Sequence, residues 1–380
     1  MVGSVLFTFI LVEVAARIYL RDASFGKRLS DASNLLHSAY PAAFDPTLGW
    51  IPKAGFSGKQ NVWGTEVTIL PTALRSNGNA APDLPVHPSV VTVGDSFTFG
   101  DEVSDQETWP AALEASAKVK VYNGGVFGYA VDQAALRASR LRTQFSPDMI
   151  IFAVTPDDII QTQLSERTGI KKPFYSVTSG GGLKLEGVPV PSPDEYRASQ
   201  FENFLKEQSS RSVLINKLML RVFPEWWLYG RWSEKLEQTN PDIVSCSVIA
   251  SEAAKSLTAN EAFMVLVQYP KEWLDDAQQV QRIGRLETCL SGHNIPILDM
   301  REPLKHEQMC SPDDFAKFYS PIRGHMTKLG NAFTASLLLP AVEAPRQAGQ
   351  QSGILQYAVK ASHIPLDSCS VTQAPLKNTH

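Results

Sequence analysis

Ser89-Val90-Val91-Thr92-Val93-Gly94-Asp95-Ser96-Phe97-Thr98-Phe99-Gly100 is the stretch on which the fold turns. The short apolar run Ser89 to Val93 ends at Gly94, which suits a strand buried on both faces. Just past the carboxyl end of that strand stands a serine, and in open α/β sheets reactive groups collect at that edge. Glycine lets the chain turn sharply. A small loop then leaves the Ser96 hydroxyl exposed and its amide N–H free to bind an oxyanion. The plainer alternative is a strand-to-helix turn in which Asp95 or Ser96 caps the helix.

The rhythm continues outward from this stretch. Thr108 to Lys118 reads as a helix, with Trp109, Leu113 and Ala117 on one stripe. Val119 to Tyr122 reads as a strand, Val131 to Phe145 as a helix and Met149 to Val154 as a third buried strand. After a break the same alternation returns: helix Val248 to Ser256, strand Phe263 to Val267, helix Ala277 to Leu290, strand Ile295 to Leu298 and closing helix Thr327 to Leu339. Short apolar strands alternating with helices predict a parallel sheet covered on both faces.

The expected organisation is an apolar anchor helix over residues 1–25 and a lead-in over 26–79 with a hairpin within Val62 to Leu70. An α/β domain over 80–342 follows, and then a poorly ordered tail over 343–380. Residues 161–235 break the alternation and read as an insertion. Ser179 to Gly182 looks like a hairpin tip, and the apolar cluster Phe223 to Tyr229, with Trp226 and Trp227, suits a lid, a partner surface or the core of a structural cap.

Composition narrows the function. A hydrophobic content of 43% and a charged content of 19% fit a folded globular body. The formal net charge of −4 and the lack of a Lys/Arg cluster argue against a nucleic-acid partner. Cys246, Cys289, Cys310 and Cys369 match no zinc spacing and read as unrelated thiols. A disulfide is expected only if the domain lies outside the cytoplasm, and spacing does not name the pair. The chain has no phosphate loop and no dinucleotide fingerprint, so its chemistry is expected to need neither cofactor nor metal.

The N-terminus is different in kind. Val2 to Val12 is uncharged and mostly apolar, and after Glu13 and Arg17 the run resumes to Leu20. It falls short of the ~20 apolar residues of a spanning helix and lacks the basic start of a signal peptide. Arg17, Arg21, Lys27 and Arg28 follow the run, a charge order that by itself would keep the following chain cytoplasmic. The readings are a spanning helix with a start upstream of Met1, a monotopic membrane helix, or an amphipathic helix packed on the domain. A membrane anchor is the expectation.

The run Gly94 to Gly100, followed by Glu107-Thr108-Trp109-Pro110, resembles the first block of the SGNH (GDSL-type) hydrolases. The resemblance is to a subset with an N-terminal membrane segment, found among bacterial polysaccharide and envelope genes. Asp45 to Trp50 and Leu74-Arg75-Ser76-Asn77-Gly78 are similar to its lead-in, and Tyr122 to Tyr129 with Asp132-Gln133 to its second block. The resemblance implies a flavodoxin-like three-layer α/β/α sandwich with a parallel sheet. It makes Ser96 the nucleophile, His325 in Gly324-His325-Met326-Thr327-Lys328-Leu329-Gly330-Asn331 the base, and the amides of Ser96 and Gly128 the oxyanion donors. Gly128 also reads simply as a loop glycine in a left-handed conformation. The remaining histidines, His37, His87, His293, His306, His363 and His380, read as structural.

Two blocks depart from the pattern. Asp157 stands where the resemblance places an oxyanion-binding Asn, and an ionised carboxylate donates no hydrogen bond. Where an Asp should precede the histidine, the chain has Ile322 and Arg323. An arginine there would lower the His325 pKa by like-charge repulsion, leaving Asp313 or Asp314 of the preceding loop as substitutes. The expected function is a serine esterase or O-acyltransferase. It would act on acyl (acetyl) esters of an envelope or secreted glycan, or on a small ester, through an acyl-Ser96 intermediate. The domain would be held outside the cytoplasm, periplasmic or at the cell surface. The alternative is a catalytically impaired protein of the same fold that binds glycan or serves in assembly.

Overall fold

The computed structural model describes residues 2–20, 41–59, 64–78, 84–167, 170–178, 180–192, 200–223, 227 and 240–343. The chain divides into two compact units. One comprises Met1–Ile51, Gln163–Phe174 and Leu185–Gln238, and the other Pro52–Thr162, Tyr175–Lys184 and Thr239–His380. The first therefore groups the start of the lead-in with most of the insertion. The second holds the α/β alternation together with residues from Pro52 onward. The expected tail, from residue 344, lies outside the described residues.

In the α/β unit five strands form one sheet: β1 Ser89–Val93, β2 Lys120–Asn123, β3 Met149–Val154, β4 Ala262–Val267 and β5 Ile297–Asp299. Their order is 5-4-3-1-2 and every pairing is parallel. This is the doubly wound flavodoxin-like order, whose switch point lies between β1 and β3. All residues of β1 and β3 are buried, as a sheet covered on both faces requires.

The helices are α1 Ser96–Phe99, α2 Trp109–Ala117, α3 Val131–Phe145, α4 Pro156–Gln161, α5 Pro241–Thr258, α6 Ala277–Gly292, α7 Arg301–Cys310, α8 Pro312–Phe315 and α9 Lys328–Glu343. The chain moves one way from β1 to β2, then reverses to reach β3, β4 and β5. Right-handed crossovers put the connecting helices on opposite faces after such a reversal. Accordingly α2 packs with α9, while α3, α5 and α6 pack in a row. Local signals set the helix starts: Thr108 Oγ1 accepts from the Ala111 amide at 3.2 Å, and Asp276 Oδ1 accepts from those of Gln278 and Gln279.

The lead-in hairpin forms from Ser57–Lys59 and Glu66–Thr68, antiparallel, so its first strand starts before the expected Val62. Cys246 of α5 and Cys289 of α6 form a disulfide with a Cα–Cα distance of 6.3 Å. The four cysteines are therefore not all separate thiols. Adjacent helices bring together two residues that spacing alone does not pair.

In the other unit the N-terminal helix runs from Val2 to Leu20. Among the described residues no helix is long and apolar enough to cross a membrane, which corrects the transmembrane expectation. Glu13 and Arg17 interrupt its apolar run, and their side chains are turned onto each other at 2.8 Å. Glu13 also accepts from Ser212 Oγ and from the amides of Val213 and Leu214, closing the N-terminus of the helix Val213–Val222. Arg17 Nη2 donates to the Arg211 carbonyl. The apolar residues Phe7, Ile10, Leu11, Val14, Ile18 and Tyr19 are exposed. In the same unit Trp227 is buried and its Nε1 donates to Asn216 Oδ1 at 2.8 Å, so this half of the tryptophan pair is core. Trp226 lies outside the described residues.

Candidate active site

The turn that carries Ser96 is built by crowding. A Cβ on Gly94 would lie 2.5 Å from Thr98 Oγ1 and 2.9 Å from the Ala153 carbonyl oxygen, so only glycine lets the chain pass this close to β3. Asp95 then caps α1, its Oδ1 accepting from the Phe97 amide at 2.9 Å. Asp95 is thus the cap and Ser96 the first helical residue. A first-turn N–H has no intrahelical acceptor, which leaves the Ser96 amide at the helix start where an anion is favoured. From Val90 to Asp101 every residue is buried except Ser96, which is half-buried.

The loop after β2 is pressed against the same helix. Val126 N donates to the Gly94 carbonyl at 3.0 Å, and a Cβ on Gly125 would meet Phe99 N at 2.4 Å and Thr98 C at 2.6 Å. Gly128, further along this loop, has a φ of 75°. That is the left-handed conformation expected of it as a loop glycine.

His325 arrives from the far end of the unit on a tight turn. Ser320 N donates to the His325 carbonyl at 2.8 Å, Gly324 N to the Ser320 carbonyl at 3.1 Å, and Thr327 N to the Phe318 carbonyl at 2.8 Å. His325 Nε2 lies 2.8 Å from Ser96 Oγ, and its ring lies against Phe97 with centroids 5.1 Å apart. Nδ1 lies 2.8 Å from Glu102 Oε2. The network assigns the tautomer: Nδ1–H donates to the carboxylate and Nε2 accepts from the serine hydroxyl.

Glu102 is the residue that the sequence reading missed. It stands shortly after Ser96 in the chain, not before the histidine. Its carboxylate is almost fully enclosed, 1% exposed, and accepts four hydrogen bonds. Two come from His325, through Nδ1 and the backbone N at 3.1 Å, one from Ser320 Oγ at 2.6 Å and one from the Arg323 backbone N at 3.1 Å. Its φ of 68° is left-handed, a conformation that costs a non-glycine residue on the order of 1–3 kcal/mol. Hydrogen bonds to a charged group contribute roughly 1.5–3 kcal/mol each, so this set outweighs the backbone cost.

The charges are mutually tuned. Burial disfavours the Glu102 carboxylate, but the bonds from His325 and Ser320 outweigh it and hold its pKa below the usual value. Burial likewise disfavours the His325 cation. The Glu102 hydrogen bond and the charges of Asp101, Glu102 and Asp95 outweigh that too, and its pKa is raised. Asp101 Oδ2 lies 3.9 Å from Nε2.

This corrects the expectation for Arg323. Its backbone N donates to the carboxylate, the residue itself is exposed, and the histidine pKa moves up, not down. Asp313 and Asp314 do not supply the carboxylate either; both are exposed on α8, and Asp314 pairs with Lys317 at 2.8 Å. Asp157 occupies the first turn of α4, where its carboxylate accepts from Gln161 Nε2.

Neither a protein-family model nor a curated protein matches the sequence. Solved structures do. A lipolytic protein of the G-D-S-L family from Desulfitobacterium hafniense DCB-2 is 15% identical with a TM-score of 0.36, covering 66% of this chain and 97% of its own. The lipase/acylhydrolase from Enterococcus faecalis is 10% identical with a TM-score of 0.40, covering 69% and 98%. A catalytic mutant of Axe2, an acetylxylan esterase from Geobacillus stearothermophilus, is 11% identical with a TM-score of 0.37, covering 67% and 94%.

Proposed function

We propose that this chain is a serine esterase or O-acyltransferase working through an acyl-Ser96 intermediate. The observation that carries the reading is the relay from Ser96 Oγ to His325 Nε2 and from His325 Nδ1 to Glu102, each step 2.8 Å. Nucleophile, base and orienting acid are recognised by this geometry and not by chain order.

In the first step Ser96 Oγ attacks the ester carbonyl while its proton passes to His325 Nε2. Glu102 and Asp101 stabilise the imidazolium that forms. The amides of Ser96 and Gly128 receive the oxyanion. The tetrahedral intermediate collapses, His325 returns the proton to the leaving alcohol, and the acyl group stays on Ser96. Water, or a sugar hydroxyl, then attacks the acyl carbon with His325 again as base; the Ser96 Oγ–acyl bond breaks and His325 returns the proton to Oγ as the acid or new ester leaves. Asp157 supplies no donor to this sequence while ionised.

The substrate class in this reading is an acetylated or otherwise acylated glycan outside the cytoplasm. The Cys246–Cys289 disulfide supports an oxidising compartment. The exposed apolar side chains of the N-terminal helix support attachment to a membrane. The glycan-binding alternative drew on Asp157 and on Arg323 in place of a carboxylate, and Glu102 weighs against the second of these.

The test is a serine-reactive fluorophosphonate followed by intact mass, with an acetyl ester assayed alongside. Wild type is expected to gain one adduct and turn over the ester, and Ser96→Ala to do neither. A folded wild-type chain that does neither would sink the reading. Sedimentation with anionic vesicles, with and without residues 1–20, tests the membrane part separately.

A further inference from the structure

The loop that carries Glu102 is clamped from below by one buried cation. Arg75 is 1% exposed, and a guanidinium has five N–H donors. Here they meet five acceptors. Nε donates to Asp105 Oδ1 at 3.2 Å, Nη1 to the carbonyls of Phe99 at 3.1 Å and Gly100 at 2.5 Å, and Nη2 to those of Val103 at 2.7 Å and Glu66 at 3.3 Å. The group also lies over the Phe99 ring, 4.8 Å from its centroid. Three of these acceptors, Phe99, Gly100 and Val103, bracket Asp101 and Glu102. Arg75 is itself fixed to the end of β2, its backbone N donating to the Asn123 carbonyl at 3.1 Å.

We propose that Arg75 is a positioning residue for the relay: it holds the 99–103 backbone so that Glu102, in its left-handed conformation, reaches His325 Nδ1. The proposal rests on the reading of Ser96, His325 and Glu102 as a working relay. A planar fork is needed here, because the acceptors are spread over carbonyls on both sides of the turn. A lysine ammonium is a point charge with three donors and serves fewer of them. A misplaced loop leaves the carboxylate present but off its bond, a defect that acts through His325.

The experiment compares full-length wild type with Arg75→Lys, Glu102→Gln and the double variant. It measures ester turnover and titrates the His325 imidazole by NMR. For Arg75→Lys the expected result is a fall in kcat of about 10- to 100-fold with KM little changed, and a lowered His325 pKa. In the Glu102→Gln background the same substitution should cost less than about two-fold, because coupled residues are not additive. Asp105→Asn, which keeps the arginine but takes the charge from the acceptor of Nε, should shift the titration the same way by less, and carries the test if Arg75→Lys does not fold. An Arg75→Lys or Asp105→Asn protein that is less stable but titrates His325 as wild type does would overturn the proposal. So would an equal loss in the Glu102→Gln background. If wild type neither labels at Ser96 nor turns over ester, the functional reading fails, while the His325 titration still decides whether Arg75 places Glu102.

Discussion

Glu102 and His325 are joined at 2.8 Å across 223 positions of chain, and the same carboxylate holds the histidine backbone at 3.1 Å. The acid therefore fixes both the ring and the turn that carries it. Removing the charge while keeping the shape, Glu102→Gln, should lower kcat/KM by up to ~10⁴-fold. The fluorophosphonate should react correspondingly more slowly at Ser96. Steady-state kinetics on an acetyl ester reads the first effect, and a labelling time course the second.

In the proposed reaction His325 must be neutral to take the serine proton. Burial favours the neutral form of His325, but Glu102, Asp101 and Asp95 outweigh it and raise the pKa above 6.5. The acidic limb of the kcat/KM profile is thus expected above pH 6.5 in wild type and lower in Glu102→Gln. A limb that does not move on this substitution would rule out Glu102 as the group that sets it.

Stability should follow the opposite course. A raised histidine pKa contributes stability that is full below its unfolded value, 6.5, and is lost as pH rises through the folded one. A depressed carboxylate pKa contributes stability that is full above 4.5 and is lost as pH falls through the folded value. The two describe one ion pair seen from its two ends. Its contribution is complete between pH 4.5 and 6.5, where the proposed turnover is expected to be low. Denaturant midpoints across pH should show wild type exceeding Glu102→Gln most within that window.

Asp157 stands where an oxyanion donor is expected from the resemblance. Asp157→Asn replaces an acceptor-only group by one that donates, and one such donor contributes about 10²–10³ in kcat elsewhere. Turnover is expected to rise at least about ten-fold with KM little changed. No rise would mean that the side chain does not face the reacting carbonyl.

The Cys246–Cys289 bond links α5 to α6 across 43 positions. The double serine variant should lose about 2–4 kcal/mol of stability, measured by urea unfolding. Ser96 labelling should persist at temperatures where the variant is still folded, since neither helix carries a relay residue.

Much of the α/β unit is legible in the sequence because buried parallel strands must be apolar throughout. β1, β3 and α3 fall on the residues expected of them, and the serine follows Gly94, a glycine that close packing requires. Glu102 is not legible in this way. Asp101-Glu102 reads as a polar connector after Gly100, and nothing local reveals a left-handed residue that reaches a turn near the far end of the unit. The available hint is a negative one: no carboxylate precedes His325, so one has to come from elsewhere. Arg323 misled because a sequence shows the side chain at a position, whereas the site uses that residue's backbone N–H. The N-terminal helix misled in the same manner. Glu13 and Arg17 interrupt the run as written, yet in the fold they satisfy each other and a neighbouring helix end.

Ser96, at the start of α1, and Glu102, just past its end, share one short segment with Arg75 bonded beneath it, so the proposed relay is not three independent pieces but a socket and a plug. The plug is the turn bearing His325. Lifting that turn by a few ångströms would silence the site in a single movement, yet leave the socket whole and ready to be re-engaged.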